Sequence, residues 1–175
     1  MSSIKKHIFV LDTSAILYGF NPQIVEGEHY ITPKTLSEVH DEKLKMILEI
    51  SISLGKLKIR SPKHETIKFI KNKATKSGDL ISLSETDLEI LALAYELKSE
   101  GLNPLVISDD YSVQNLCTLL SLSFKPVITE GISQRFLWII YCPACGKTYS
   151  ASEEITNCKV CGHALKRKVY KKESI

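Results

Sequence analysis

Glycine and proline are scarce in this chain, at 8 and 6 of 175 residues, which excludes collagen-like repeats, flexible linkers and low-complexity tracts. Long apolar runs are also missing. The longest, Phe136 to Cys142, falls far short of the roughly 20 residues that cross a bilayer. Near the N-terminus only Ile8 to Leu11 form an apolar run before Asp12. That run is too short for a secretion signal, and no small-residue cleavage site follows it. These absences point to a cytoplasmic protein with no membrane partner. No repeat recurs at solenoid or propeller periods. Several catalytic signatures are missing too: there is no Walker sequence, no G-x-G-x-x-G and no G-x-S-x-G. Ser14 stands where an aspartyl-phosphate phosphatase would carry its second acid.

What remains is an ordinary soluble composition, 43% hydrophobic and 25% charged, long enough for one domain plus a small appendage. The net charge of +3 is unevenly spread. Residues 1–130 hold 15 Lys/Arg against 17 Asp/Glu, whereas residues 131–175 hold 8 against 3. Within the first part, residues 56–76 carry eight basic side chains and one acid, Glu65. One such run is usually a solvated face. Two separate basic zones around a near-neutral core favour a polyanion partner.

Four of the five cysteines form Cys142-x2-Cys145 and Cys158-x2-Cys161, each followed by glycine. Thiolates at i and i+3 grip one face of a metal, and two such knuckles complete a closed tetrahedral Zn²⁺ site. Two disulfides fit poorly without a secretion signal, and a redox pair would explain only one of the two motifs. With four sulfurs the zinc is structural, and it supplies folding energy to a segment too short to bury a core. His163 is left as a surface residue, and Cys117 stands alone in an apolar helix pattern as a core residue.

Along the rest of the chain, short apolar runs at Ile8–Leu11, Tyr30–Thr32, Leu57–Arg60, Leu105–Ile107 and Phe124–Ile128 alternate with helical periodicity. The helical stretches are Thr35 to about Leu54, 63–76 (basic), Ser84 onward, and Tyr111 to about Leu120. This alternation predicts an α/β fold, a mostly parallel sheet flanked by helices. Residues 1–130 make that domain, 131–141 a linker, and 142–175 a zinc ribbon with a basic tail. The apolar residues Phe136 to Ile140 are expected to pack the ribbon against the larger domain.

Ligands of open parallel sheets bind outside the carboxyl ends of the strands. Asp12 stands at one such end, and Asp109 and Asp110 at another. For either position alone, helix cap and catalyst are equally good readings; together they favour a shared cation site. Glu38 and Asp87 fall near helix starts, Asp87 within Ser84-Glu85-Thr86-Asp87, a capping pattern. Carboxylates without histidine suit Mg²⁺ or Mn²⁺. Such an ion lowers the pKa of a bound water and stabilises charge on a phosphate oxygen. Basic zones and an acidic pocket converge on a nuclease.

The stretch Phe9-Val10-Leu11-Asp12-Thr13-Ser14, with Glu38, Leu83-Ser84-Glu85-Thr86-Asp87-Leu88 and Ser108-Asp109-Asp110, resembles the PIN-domain ribonucleases. Followed by a four-cysteine ribbon and a basic tail, the chain resembles the NIN-one-binding protein (Nob) family, in its compact archaeal form. The resemblance implies a PIN-like sheet and an endoribonuclease that makes the mature 3′ end of the small-subunit ribosomal RNA precursor, leaving a 3′-hydroxyl and a 5′-phosphate. It implies Asp12, Glu38, Asp87 and Asp110 as Mg²⁺ or Mn²⁺ ligands, with Asp109 a neighbour able to share that role. Thr13 and Ser108 would orient ligands. Arg135, Lys147, Lys166, Arg167, Lys168, Lys171 and Lys172 would grip RNA backbone, with Lys68 and Lys71 on a second surface, and Tyr149 and Tyr170 either stacking on bases or serving the fold. The partner implied is RNA in a pre-ribosomal particle, with assembly-factor proteins. Two other readings stand beside it: a toxin-type PIN ribonuclease, and a non-catalytic RNA-binding assembly factor.

Overall fold

A computed structural model describes residues 7–153 and 155–174; residues 1–6, 154 and 175, which the expected domain limits include, lie outside the described residues. Five parallel strands, β1 (Ile8–Leu11), β2 (Glu28–Ile31), β3 (Leu57–Ile59), β4 (Pro104–Ile107) and β5 (Ser123–Lys125), form one sheet in the order β3-β2-β1-β4-β5. The helices are α1 (Thr13–Leu17), α2 (Pro33–Glu38), α3 (Glu42–Ser53), α4 (His64–Ser77), α5 (Glu85–Ser99) and α6 (Tyr111–Leu119). The predicted α/β class holds. β1 is apolar throughout because both of its faces are covered. Ile8 and Val10 join a core with Ile70, Leu91 and Leu116, while Phe9 and Leu11 join another with Ile16, Leu48 and Leu57.

From β1 the chain builds outward through β2 to β3, then crosses to the other side of β1 for β4 and β5. Leu11 lies opposite Ile107 in the β1–β4 pair. The direction of winding therefore reverses between these two strands, and their carboxyl ends open a crevice.

Several local expectations are corrected. The single helix expected over Thr35–Leu54 is two helices, broken at 39–41, because Asp41 caps a new start by accepting from Leu44 N at 2.9 Å. β5 stops at Lys125, because the N–H groups of Val127, Ile128 and Thr129 donate to the Asp109 carboxylate in place of a strand ladder.

The expected linker at 131–141 is also corrected. Its residues Gln134–Tyr141 are β6, the central strand of an antiparallel sheet ordered β7-β6-β8, with β7 at Thr148–Ser150 and β8 at Lys166–Ser174. This sheet docks on the larger domain through satisfied polar groups as well as apolar side chains. Trp138 Nε1 donates to the buried Asp79 carboxylate at 2.9 Å, and Asn115 exchanges hydrogen bonds with the Phe136 backbone at 2.7 and 2.9 Å. Arg167 donates to Gly78 O at 2.8 Å and Ser82 Oγ at 2.7 Å, with its guanidinium 4.1 Å from the Trp138 ring.

Gly78 ends α4 in the left-handed region, at φ +82°, where a Cβ would lie 2.7 Å from Trp138 Cβ and 2.9 Å from Ala151 Cβ. Gly55 has φ +69° but open space around it. Gly55→Ala should therefore cost about 1 kcal/mol, the left-handed penalty alone. Gly78→Ala should cost roughly 2–4 kcal/mol, since overpacking is added, and should red-shift the fluorescence of Trp138, the one tryptophan of the chain. Equal stability losses with unshifted emission would show that the close approach does not matter.

Candidate active site and metal centre

Asp12 and Glu38 are held through both carboxylate oxygens, Asp87 and Asp110 through one. Asp12, 4% exposed, caps α1 through Oδ1, which accepts from Thr13 N, while Oδ2 accepts from Ser14 Oγ and Ser108 Oγ, both at 2.7 Å. Those two hydroxyls also accept from Asp109 N and Asp110 N, so they tie the end of β1 to the end of β4. Asp110 caps α6, its Oδ1 accepting from Ser112 N and Val113 N. Asp87 closes the capping box of α5 with Ser84. Cap and functional group are thus compatible in one residue, because Asp87 Oδ1 and Asp110 Oδ2 accept no hydrogen bond from a described residue.

Glu38 lies at the last residue of α2, not near a helix start as the sequence suggested. A carboxylate there opposes the helix dipole, and two hydroxyls offset this: Thr13 Oγ1 donates to Oε2 at 2.6 Å and Thr86 Oγ1 to Oε1. Thr13 follows Asp12 and Thr86 precedes Asp87, so Glu38 bridges the neighbours of both acids. Ser14 and Thr86 were missed as site residues; the signal was a Ser or Thr within two residues of every acid. Asp109 is directed elsewhere. Burial alone would raise its pKa, but the N–H groups of Thr129, Ile128 and Val127 outweigh that and lower it.

Charge is uncompensated in this crevice. Burial pushes the Asp87 carboxyl up to about 6; the Ser84 hydrogen bonds oppose the rise, and the charges of Asp12 and Asp110 add to it. Asp12 is raised by burial too, against the hydrogen bonds of Ser108, Ser14 and Thr13, with Asp110 adding to it. Carboxylates that repel one another, with free oxygens and no sulfur or imidazole, fit a hard divalent cation. Their oxygens are not drawn tightly together: among the described residues, the cysteines are the only group of three or more His, Cys, Asp or Glu whose ligand atoms all lie within 4.8 Å of one another.

In the ribbon, Cys142 Sγ lies 3.4 Å from Cys161 Sγ, and Cys145 Sγ lies 3.5 Å from Cys158 Sγ, so none is in a disulfide. A tetrahedron with Zn–S of about 2.3 Å has edges of about 3.8 Å, so the four thiolates fit Zn²⁺. The two knuckles share one geometry. Gly146 and Gly162 both have φ +74°, and their N–H groups donate to Cys142 O and Cys158 O. Tyr149 is buried with its hydroxyl 3.1 Å from Cys158 Sγ, a role in the fold that removes it from base stacking.

Of the basic residues singled out, Lys147, Lys166, Lys168 and Lys172 are exposed. Arg135 and Lys171 both pair with Glu173. Arg167 turns inward as the strut described above. Lys68 and Lys71 line a separate cavity of about 550 Å³ with Lys34 and His64.

A parallel α/β sheet with hydroxyl-held acids at its carboxyl edge is the architecture of the PIN domain, and the family model described as PIN domain of ribonuclease matches residues 9–97, spanning Asp12, Glu38 and Asp87. The chain belongs to the Nob1 endoribonucleases of that class. It is 41% identical over 162 residues to Endoribonuclease Nob1 of Methanocaldococcus jannaschii, covering 93% of this chain and 78% of that protein. It is 41% identical over 157 residues to Endoribonuclease Nob1 of Pyrococcus abyssi, covering 90% and 91%. Over 69 residues it is 42% identical to the 20S-pre-rRNA D-site endonuclease NOB1 of Saccharomyces cerevisiae, covering 39% of this chain and 15% of that protein.

Because Asp87 has a higher pKa folded than unfolded, its contribution favours the metal-free fold fully below about pH 3.8 and is lost as pH rises through about 6. Asn can still accept from Ser84 N but carries no charge. Asp87→Asn should therefore melt about 2–6 °C above wild type at pH 8 without divalent cations, and the gap should close at pH 4. A gap of the same size at both pH values would contradict the charge argument. Replacing Cys142 and Cys161 together by Ser should release one zinc per chain while the parallel sheet keeps its cooperative melting transition. Loss of that transition as well would show that the sheet depends on the ribbon.

Proposed function

We propose that this chain is a divalent-metal-dependent endoribonuclease that cuts the small-subunit ribosomal RNA precursor at its mature 3′ end, within a pre-ribosomal particle in the cytoplasm. The observation that carries the reading is similarity to two proteins named Endoribonuclease Nob1 over nine-tenths of the chain, acidic crevice and ribbon together. The yeast relative, a 20S-pre-rRNA D-site endonuclease, supplies the substrate class. No helix among the described residues is long and apolar enough to cross a membrane.

Asp12, Glu38, Asp87 and Asp110 would hold Mg²⁺ or Mn²⁺. The ion supplies a water of lowered pKa and neutralises charge on the attacked phosphate. The chain's own residues do the positioning. Ser14 and Ser108 hold Asp12 at the joined ends of β1 and β4, and Thr13 and Thr86 hold Glu38 between Asp12 and Asp87. Caps on α5 and α6 leave one oxygen of Asp87 and one of Asp110 free toward the crevice. Exposed Lys166, Lys168 and Lys172 on β8, with Lys147, would take RNA phosphates, which orient the strand without reading its bases. Lys68 and Lys71 offer a second phosphate surface on α4. Zinc would hold the ribbon's shape and leave the chemistry to the crevice.

The test uses an RNA spanning the mature 3′ end of the host's small-subunit ribosomal RNA, with Mn²⁺ or Mg²⁺. Wild type should cut once at that end, leaving a 5′-phosphate, and Asp12→Asn should cut about a hundredfold more slowly or less. Scattered cutting of unrelated RNA would favour a toxin-type ribonuclease. Tight binding with no cut under any divalent ion would favour an assembly factor.

A further inference from the structure

A cavity of about 380 Å³ opens between the first turn of α6 and the chain at 131–138. Tyr111 in its wall directly follows Asp110, the cap of α6, which sets the cavity beside the end of β4 that carries that acid. Tyr111 is 56% exposed and its ring makes no ring contact with a described residue. Across the cavity stand Phe136 and Trp138, with ring centroids 6.0 Å apart. Ser112, Ser133 and Gln134 supply hydroxyls and a carboxamide at its wall, and none of these side-chain groups hydrogen bonds with a described residue. Lys172 Nζ sits 5.6 Å from the Phe136 ring centroid and forms no ion pair among the described residues.

The cavity is preformed. Gln114 Nε2 donates to Ser108 O, and its Oε1 accepts from Ile132 N, both at 2.9 Å. Asn115 holds the Phe136 backbone on both sides, and Asp109 holds 127–129. Three polar residues around the start of α6 therefore stitch the ribbon-side wall to the strand end that carries Asp110. Such stitching makes little sense for a loose connection. It makes sense for a pocket that must keep its register with the crevice.

Flat rings, an unpartnered amide with both donors and acceptor, and a nearby ammonium describe the complement of one nucleotide: ring faces for stacking, polar groups for the base edge, and a cation for its phosphate. An apolar peptide segment would leave the amide and the ammonium unused. We propose that this cavity is a nucleobase subsite for the single-stranded nucleotide next to the scissile phosphate, with Tyr111 as a stacking wall. The proposal deepens the ribonuclease reading and rests on it.

The experiment uses the full, zinc-loaded chain and the RNA named above, carrying one abasic residue at each of the three positions on either side of the cut. In wild type, one position should stand out, its abasic form lowering kcat/KM about tenfold or more. Tyr111→Ala should lower kcat/KM on intact RNA by a similar factor, and the abasic penalty at that position should vanish. Tyr111→Phe, which keeps the ring, should behave as wild type, with zinc content and Tm unchanged in both variants. Equal abasic penalties in wild type and Tyr111→Ala would overturn the subsite while leaving the ribonuclease intact.

A second readout separates the two failures. With 2-aminopurine at the same positions, binding alone should quench fluorescence at one of them in wild type and not in Tyr111→Ala. That result with no cleavage would discard the ribonuclease reading, and with it the place beside a scissile phosphate, while keeping the cavity as a nucleobase-binding site. Quenching equal in both proteins would discard the subsite.

Discussion

A carboxylate buried at the end of a parallel strand must find hydrogen-bond donors or a cation, because its charge has been taken out of water. Asp12 is in that position, and much of the sheet's carboxyl edge follows from how it is served. Ser108 and Ser14 donate to one of its oxygens and accept from the backbone of the next acids, so serving Asp12 also fixes where Asp109 and Asp110 begin. The helix that starts at Asp110 is capped by the same side chain that contributes to the crevice. Geometry that could have been left to a bound ion is largely set by hydroxyls and backbone N–H groups beforehand.

The burial that orients these acids also raises the cost of their charge. Asp12 and Asp87 are both shifted upward, so their ionised forms gain from any positive charge placed beside them. The cysteine cluster and the acidic crevice are opposite in kind. Four soft thiolates lie close enough for one zinc and share two matching knuckles, whereas the hard carboxylates stand apart, each tied to a different element.

Between the two sites lies a junction, not a tether. Asp79, buried and linked to Ser77, Asn115 and Trp138, together with Arg167 stacked on Trp138, joins α4, α6 and the ribbon sheet. Gln114 and Asn115 extend the same arrangement toward the crevice. A basic surface held in register with the acidic crevice would let backbone contacts set where a bound strand lies, even though such contacts carry no base information.

Much of this was legible without coordinates. The alternation of apolar runs with helical periods determined the α/β class, because strand and helix burial leave different periods in a sequence. The cysteine spacing determined the zinc site, because its ligands are local. The acids after β1 and β4 were visible for the same reason, as residues that follow buried runs. Tertiary structure decided the rest. It assigned Asp110 to the crevice and Asp109 to the 127–129 backbone, since both stand at one strand end and only the partners across the fold tell them apart. It moved Glu38 to a helix end held by two threonines distant in sequence, turned the expected linker into the central strand of the ribbon, and drew Arg167 from the basic surface into the junction. Local spacing encodes what neighbours in the chain can do; which free oxygen faces which partner depends on contacts closed across tens of residues, and only the folded chain brings those together.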